Sequence, residues 1–443
     1  MKRTPVRRAQ RTSRRDFLLG AGALLPAGLL ATRLSFAGGA AGDGGAGASG
    51  DGRFVFILMR GALDGLAAVP PVGDPDYARL RGPMAVAGTR LDDTFALHPA
   101  LQFLAGRYAA RELLVMHAIA TPYRERSHFD GQDLLESGAT VPHALQTGWL
   151  NRALAARGGA GAAPAGGAAA AVSLGANVPL VMRGPAEVSS WSPSRLASLR
   201  EETLQRLADL YAGDATLAAR LADALASDAV ATQALADEPG MDKKIAAGPG
   251  AGNGAGKGPG KGPGKGDAKA GGAALGETLR AAAGFLREPQ GARVAVLETT
   301  GWDTHANEGG SEGALAQRLG ALDAALGEFR TALGPAWDRT AVLLATEFGR
   351  TAASNGTRGT DHGTGAAAFL VGGAVAGGRV LADWPGLAPG ALYQGRDLKP
   401  TRDLRAVLKG VLHDHLQVGD RGLDADVFPG SGAVRREQGL LRG

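Results

Sequence analysis

The stretch RFVFILMRGALDG, residues 53–65, decides how this chain folds. After Arg53 comes an unbroken apolar run to Met59, with no alternation of polar residues. A strand with one wet face alternates; a run without alternation is covered on both faces, as in a parallel sheet sandwiched between helices. The run then breaks into RGALDG, a loop with turn chemistry around Asp64.

The pattern recurs along the chain. LLVMHAIA (Leu113–Ala120), RVAVLE (Arg293–Glu298), TAVLLAT (Thr340–Thr346) and AAAFLVGG (residues 366–373) read as further buried strands, and VSLGANVPLVMRG (172–184) holds another. Between them lie segments of helical spacing: LHPALQFLAGRYAARE, residues 194–236 and TRDLRAVLKGVLHDHLQV. The clearest helix carries Leu315, Leu319, Leu322, Leu326, Phe329 and Leu333 in one apolar stripe. Strands alternating with helices predict an α/β fold of three layers, α/β/α, with a large, mostly parallel sheet. In such folds ligands bind beyond the carboxyl ends of the strands.

The amino terminus reads as a leader. Residues 1–37 carry a basic start with paired Arg14 and Arg15, an apolar stretch and a Ser35-Phe36-Ala37 cleavage signal. This predicts a twin-arginine signal peptide, a periplasmic or secreted protein, and no stable membrane span after cleavage. Residues 38–52 form a flexible Gly/Ala segment, and 53–443 a single α/β domain. Low-complexity insertions are expected at about 157–171 and 246–273, the second built on Gly-Pro-Gly-Lys repeats.

Removing the leader changes the charge argument. The whole chain is formally +5, but residues 38–443 hold 40 basic and 42 acidic residues. The basic balance therefore belongs to the leader, and no nucleic-acid partner is expected. With no cysteine in the chain, disulfides and thiolate sites are excluded, so a metal would need Asp, Glu, His or backbone oxygen.

Placed on this framework, the polar residues gather at strand ends. Asp64 follows the first strand, Ser127, His128 and Asp130 the second, Asp303 and His305 the RVAVLE strand, and Glu347 and Arg350 the TAVLLAT strand. Asp361 and His362 stand just before AAAFLVGG. Collected at one sheet edge, these carboxylates and imidazoles repel unless a cation neutralises them, and they suffice for one or two divalent ions. Taken singly each has a plainer reading: Ser127 as a helix N-cap, Asp130 as a first-turn acid, Glu347 and Arg350 as a salt bridge. His98 and His117 read as packing residues, His413 and His415 as structural, and His143 is undecided.

RGALDGLAAVPP, RERSHFDGQDLLESG, GWDTHAN and the long block from ATEFGRT to ADWPGL, together with the leader, resemble a bacterial family known as domain of unknown function 1501. That family is similar to a distant branch of the alkaline phosphatase and sulfatase superfamily. The resemblance implies a large α/β/α sheet with a site for one or two divalent ions, among zinc, manganese, magnesium and calcium. By position, Asp64 resembles the aspartate that bridges metal and nucleophile, and Ser127 the nucleophile at a helix N-terminus. Asp303, His305 and His362 look like the ligands of one metal. Glu347, with Asp64 and with His128 as a stand-in, would serve a second. Phe348 stands where the superfamily has a histidine ligand, and the spacing in DTH is shorter than usual. Arg350 or Arg126 would hold an anionic group. The implied activity is metal-dependent hydrolysis of phosphate or sulfate esters, small or polymeric, with the twin-arginine export machinery as a partner. The alternative is a non-catalytic envelope protein that binds an anionic ligand or partner on the same scaffold.

Overall fold

The computed structural model describes residues 51–158, 170–193, 201–236 and 265–442. Nine strands form one sheet: β1 (Arg53–Met59), β2 (Leu113–Ala120), β3 (Ala171–Leu174), β4 (Ser189–Trp191), β5 (Val294–Thr299), β6 (Thr340–Ala345), β7 (Ala366–Val371), β8 (Arg379–Leu381) and β9 (Arg402–Asp403). Their spatial order is β8-β2-β7-β6-β1-β5-β3-β4, with β9 also paired to β2. β1 lies inside the sheet, with Phe54 opposite Val294 on one side and Ala341 on the other. Every pairing is parallel except the two made by β7, with β2 and with β6. β7 therefore runs against its neighbours, and its entry lies at the edge where they exit.

Ten helices matter for the packing: α1 (Gly65–Ala68), α2 (Tyr77–Arg81), α3 (Gln102–Ala109), α4 (His128–Ser137), α5 (Trp149–Gly158), α6 (Glu201–Tyr211), α7 (Ala215–Ala236), α8 (Lys265–Arg287), α9 (Ala314–Leu333) and α10 (Leu404–Leu416). Successive side chains of β1 serve opposite faces, as pleating requires. Val55, Ile57 and Met59 join a core with Leu104 of α3, Leu279 and Leu286 of α8, and Leu319 and Leu326 of α9. Phe54, Phe56 and Leu58 join a second core with Leu135 of α4, Trp149 of α5, and Val407 and Val411 of α10. The protein is thus an α/β molecule whose large, mostly parallel sheet is flanked by helices. All six residues of the α9 stripe are buried.

Some boundaries differ from expectation. The stretch 194–236 contains two helices, because Asp214 breaks the chain between α6 and α7 and caps α7 through the N–H groups of Thr216 and Leu217. α8 begins at Lys265, within the insertion expected at about 246–273. The leader, most of the Gly/Ala segment and most of both insertions lie outside the described residues. Among the described residues no helix is long and apolar enough to cross a membrane.

Candidate metal centre

The reversal of β7 answers why an Asp-His pair precedes a buried strand. His362 enters β7 at the edge where β5 delivers Asp303 and His305 and β6 delivers Glu347. His128, the first residue of α4, follows β2 at the same edge. The loop after β6 and the loop before β7 lie flat on each other: Arg350 and His362 form an antiparallel bridge, Gly349 N–H donates to the Thr364 carbonyl, and Gly363 N–H to the Gly349 carbonyl. A Cβ on Gly349 would fall 1.8 Å from the Gly365 carbonyl oxygen, so this approach requires glycine.

Three donors meet within 4.8 Å of one another: His128, Asp303 and His362. His128 Nε2 lies 2.9 Å from His362 Nε2 and 3.6 Å from Asp303 Oδ2. His362 Nε2 is 3.2 Å from Asp303 Oδ1. A fourth donor stands beside them, with His305 Nε2 3.0 Å from His362 Nε2 and 3.0 Å from Asp303 Oδ1. Around an ion that holds imidazole nitrogen at about 2.1 Å, neighbouring donors are roughly 3.0–3.4 Å apart, depending on the angle. The triad of His128, Asp303 and His362 has the chemistry to hold a metal ion, and its separations of 2.9 to 3.6 Å straddle that range.

The rings are turned for this. His128 Nδ1 donates to Glu347 Oε1 at 2.7 Å, His362 Nδ1 to the Arg126 carbonyl at 3.0 Å, and His305 Nδ1 to Asp361 Oδ1 at 3.3 Å. Carboxylates and carbonyls only accept, so a proton sits on Nδ1 of each ring and Nε2 is the atom each ring turns toward the Asp303 carboxylate. This is the arrangement by which proteins orient metal-binding histidines.

The carboxylates are held ionised. Burial works against the charge on Asp303, but the neighbouring His362 ring and the Arg350 guanidinium, whose Nη2 is 2.5 Å away, keep its pKa well below the usual carboxylate range. Burial likewise opposes the charge on Glu347, and hydrogen bonds from His128, Gln132 and the Gly61 N–H outweigh it. Asn355 donates to Asp361 Oδ1 and to the His305 carbonyl, which lowers the Asp361 pKa and ties these two residues together. Gln132 and Asn355 escape sequence reasoning because an amide in a loop or on a helix carries no pattern of its own.

Several expected residues are placed differently. Asp64 is fully buried and is not among the converging donors: Oδ1 accepts from the N–H groups of Leu66 and Ala67, capping α1, and both oxygens are paired with Arg81. Glu347 and Asp361 stand behind histidine rings rather than beside them. Arg350 does not face the opening. Its Nε and Nη groups donate to the carbonyls of Ala62, Thr360, Gly61 and Trp302 as well as to Asp303. Arg126 is committed to Asp397 and Gln394. Ser127 stands at the N-cap of α4, but its hydroxyl makes no capping bond. Phe348, buried, packs its ring on His128 and His362, with centroids 5.1 and 5.3 Å away. His98, His117 and His415 bond backbone carbonyls, while His143 lies between Asp130 and Asp133.

Residues 105–427 match the family model described as protein of unknown function, DUF1501. The chain belongs to the DUF1501 family. The matched span contains all four converging donors of this DUF1501 protein, and Asp64 and Arg81 lie before it. No curated protein matches the chain. A solved structure, titled as the crystal structure of Ps i-CgsB in complex with k-i-k-neocarrahexaose, is similar over 87% of this chain and 77% of that one, at 9% identity and a TM-score of 0.36.

Proposed function

We propose that this protein is an exported, single-metal hydrolase of phosphate or sulfate esters. One observation carries the reading: three histidines, each fixed through Nδ1, turn their Nε2 atoms toward the Asp303 carboxylate at 3.0 to 3.6 Å. His128, Asp303, His305 and His362 would hold the ion. Three imidazoles and one carboxylate favour zinc over manganese, magnesium or calcium, which suit oxygen ligands. One ion is favoured over two because Asp64 is neutralised by Arg81 and Glu347 is engaged by His128.

When bound, the ion would polarise an ester oxygen and favour the ionised form of a nearby hydroxyl. The chain supplies the rest. The Ser127 hydroxyl, one residue before His128 and not spent on capping, is the nucleophile of this reading. The N-terminus of α4 favours the negative charge of the substrate. Export rests on the twin-arginine leader, and the sheet with its edge site suits a distant alkaline phosphatase relative. The test is metal analysis of purified protein with aryl phosphate and aryl sulfate assays on wild type, Ser127→Ala and Asp303→Ala. Turnover that is the same in all three would remove the mechanism.

A second reading is a non-catalytic protein that binds an anionic ligand or envelope partner. It is favoured by Phe348, a buried apolar ring packed on His128 and His362 where the superfamily it resembles has a histidine ligand. Metal-loaded wild type that binds phosphate or sulfate and turns over neither ester would select it.

A further inference from the structure

We propose that Glu308 is a positioning residue: its buried carboxyl cross-links Thr304 and Thr360 and so holds the two loops that carry Asp303, His305 and His362 at ligand spacing. The inference rests on the metal reading above, and it concerns a residue that contacts none of the four donors.

Glu308 lies in the loop after β5 and is fully buried. Its Oε2 accepts from the Thr304 hydroxyl at 2.8 Å and from the Thr360 hydroxyl at 2.8 Å. Thr304 sits between Asp303 and His305, and Thr360 two residues before His362. One oxygen atom thus joins the two ligand-bearing loops. The backbone reinforces the junction: Thr360 N–H donates to the Thr304 carbonyl, Asn307 N–H to Thr357, and Glu308 N–H to Arg358.

The other oxygen explains how such a group is tolerated. Glu308 Oε1 is buried and has no donor among its neighbours. Burial and the charge of Asp64 push the Glu308 carboxyl well above its ordinary range. The charge of Asp64 beside it is in turn secured by Arg81. Arg81 also donates to the carbonyls of Thr351 and Ala352. Asp64, Arg81 and Glu308 therefore form a buried plug that reaches the loops after β1, β5 and β6. A carboxyl that served only to fill space would not need two hydroxyls drawn from opposite ligand loops.

The experiment compares Glu308→Ala, Glu308→Gln and the double variant Thr304→Val/Thr360→Val with wild type. Cobalt(II) titration followed by its visible bands reads metal affinity. Amide hydrogen exchange at Asn307, Glu308 and Thr360 reads the clamp itself. Groups that orient ligands typically set affinity by about 10–100-fold. Glu308→Ala and the threonine pair are expected to weaken cobalt binding by that order and to speed exchange at the three amides. Glu308→Gln, whose amide oxygen still accepts both hydroxyls, is expected to stay within a few-fold of wild type. Should Glu308→Ala fail to fold, Glu308→Gln against the threonine pair decides alone. Loss in Glu308→Gln as large as in the other variants, or no loss anywhere, overturns the proposal. Wild type that takes up no cobalt removes the metal reading instead, and the exchange rates still decide the clamp.

Discussion

Glu347, with no exposed surface, accepts the Nδ1 proton of His128 at 2.7 Å across 219 residues of chain. The same oxygen takes the Gly61 N–H and the Gln132 amide, so the carboxylate is itself immobilised. Glu347→Ala would free the His128 ring to rotate and would leave the other two donors unpaired. The expected outcome is a loss of about 10–100-fold in zinc or cobalt affinity. Glu347→Gln keeps an acceptor oxygen and should lose less. Competition against a chromogenic chelator measures both, and an unchanged affinity in Glu347→Ala would show that the ring needs no such anchor.

The four donors should not count equally. His128 and His362 are largely shielded, whereas His305 is 45% exposed and leans on an exposed Asp361 at 3.3 Å. Asp303 and His362 also belong to the triad whose donors all lie within 4.8 Å of one another, so alanine at either is expected to abolish tight metal binding, and alanine at His305 to weaken it only partly. Metal content after dialysis ranks them. A His305 variant more damaged than the Asp303 variant contradicts the order.

Much of this fold was open to reading because its central strands are buried on both faces. β1, β2, β5, β6 and β7 each announce themselves as apolar runs, and the α9 stripe announces its helix. The edge strands β4, β8 and β9 are two or three residues long and partly exposed, so no run marks them. The direction of β7 is a tertiary property: Ala366 to Val371 read alike in either sense. At the site, residue type and strand-end position single out His128, Asp303, His305 and His362. They do not distinguish a converging donor from a carboxylate one bond behind it, such as Glu347 or Asp361. Asp64 illustrates the limit. Its turn chemistry is visible in ALDG, but the Arg81 that claims it belongs to a different helix and carries no periodic signal.

Arg350 is expected to matter for stability before chemistry. Its guanidinium is fully enclosed and donates to four backbone carbonyls and to Asp303. Leaving a buried acceptor without its donor typically costs about 1–3 kcal/mol, and here four carbonyls lose theirs. Arg350→Met should lose stability of that order in denaturant unfolding. If the variant unfolds like wild type and loses only affinity for anions, Arg350 is a substrate clamp after all.

Acid sensitivity should trace in part to His117. Burial in β2, between Phe95 and Trp384, pushes its pKa down to about 4. The unfolded ring titrates near 6.5, so between these values the unfolded chain holds the extra proton. Stability then rises with pH across that window and falls on acidification, by about 3 kcal/mol from this residue at pH 4. His98 and His415, also pushed down by burial, act in the same sense. Urea unfolding between pH 4 and 7 should show a shallower acid limb in His117→Gln. Parallel limbs in the two proteins would exclude His117 as a source.

The chain has no cysteine, so no covalent bridge fastens one part of it to another. Yet His128 and His362 meet 234 residues apart, and His305 and His362 57 residues apart. An ion held among them would act as a rivet, closing very long loops in a single contact. It could be set only after the sheet had assembled, and its removal by a chelator would loosen the strand ends first.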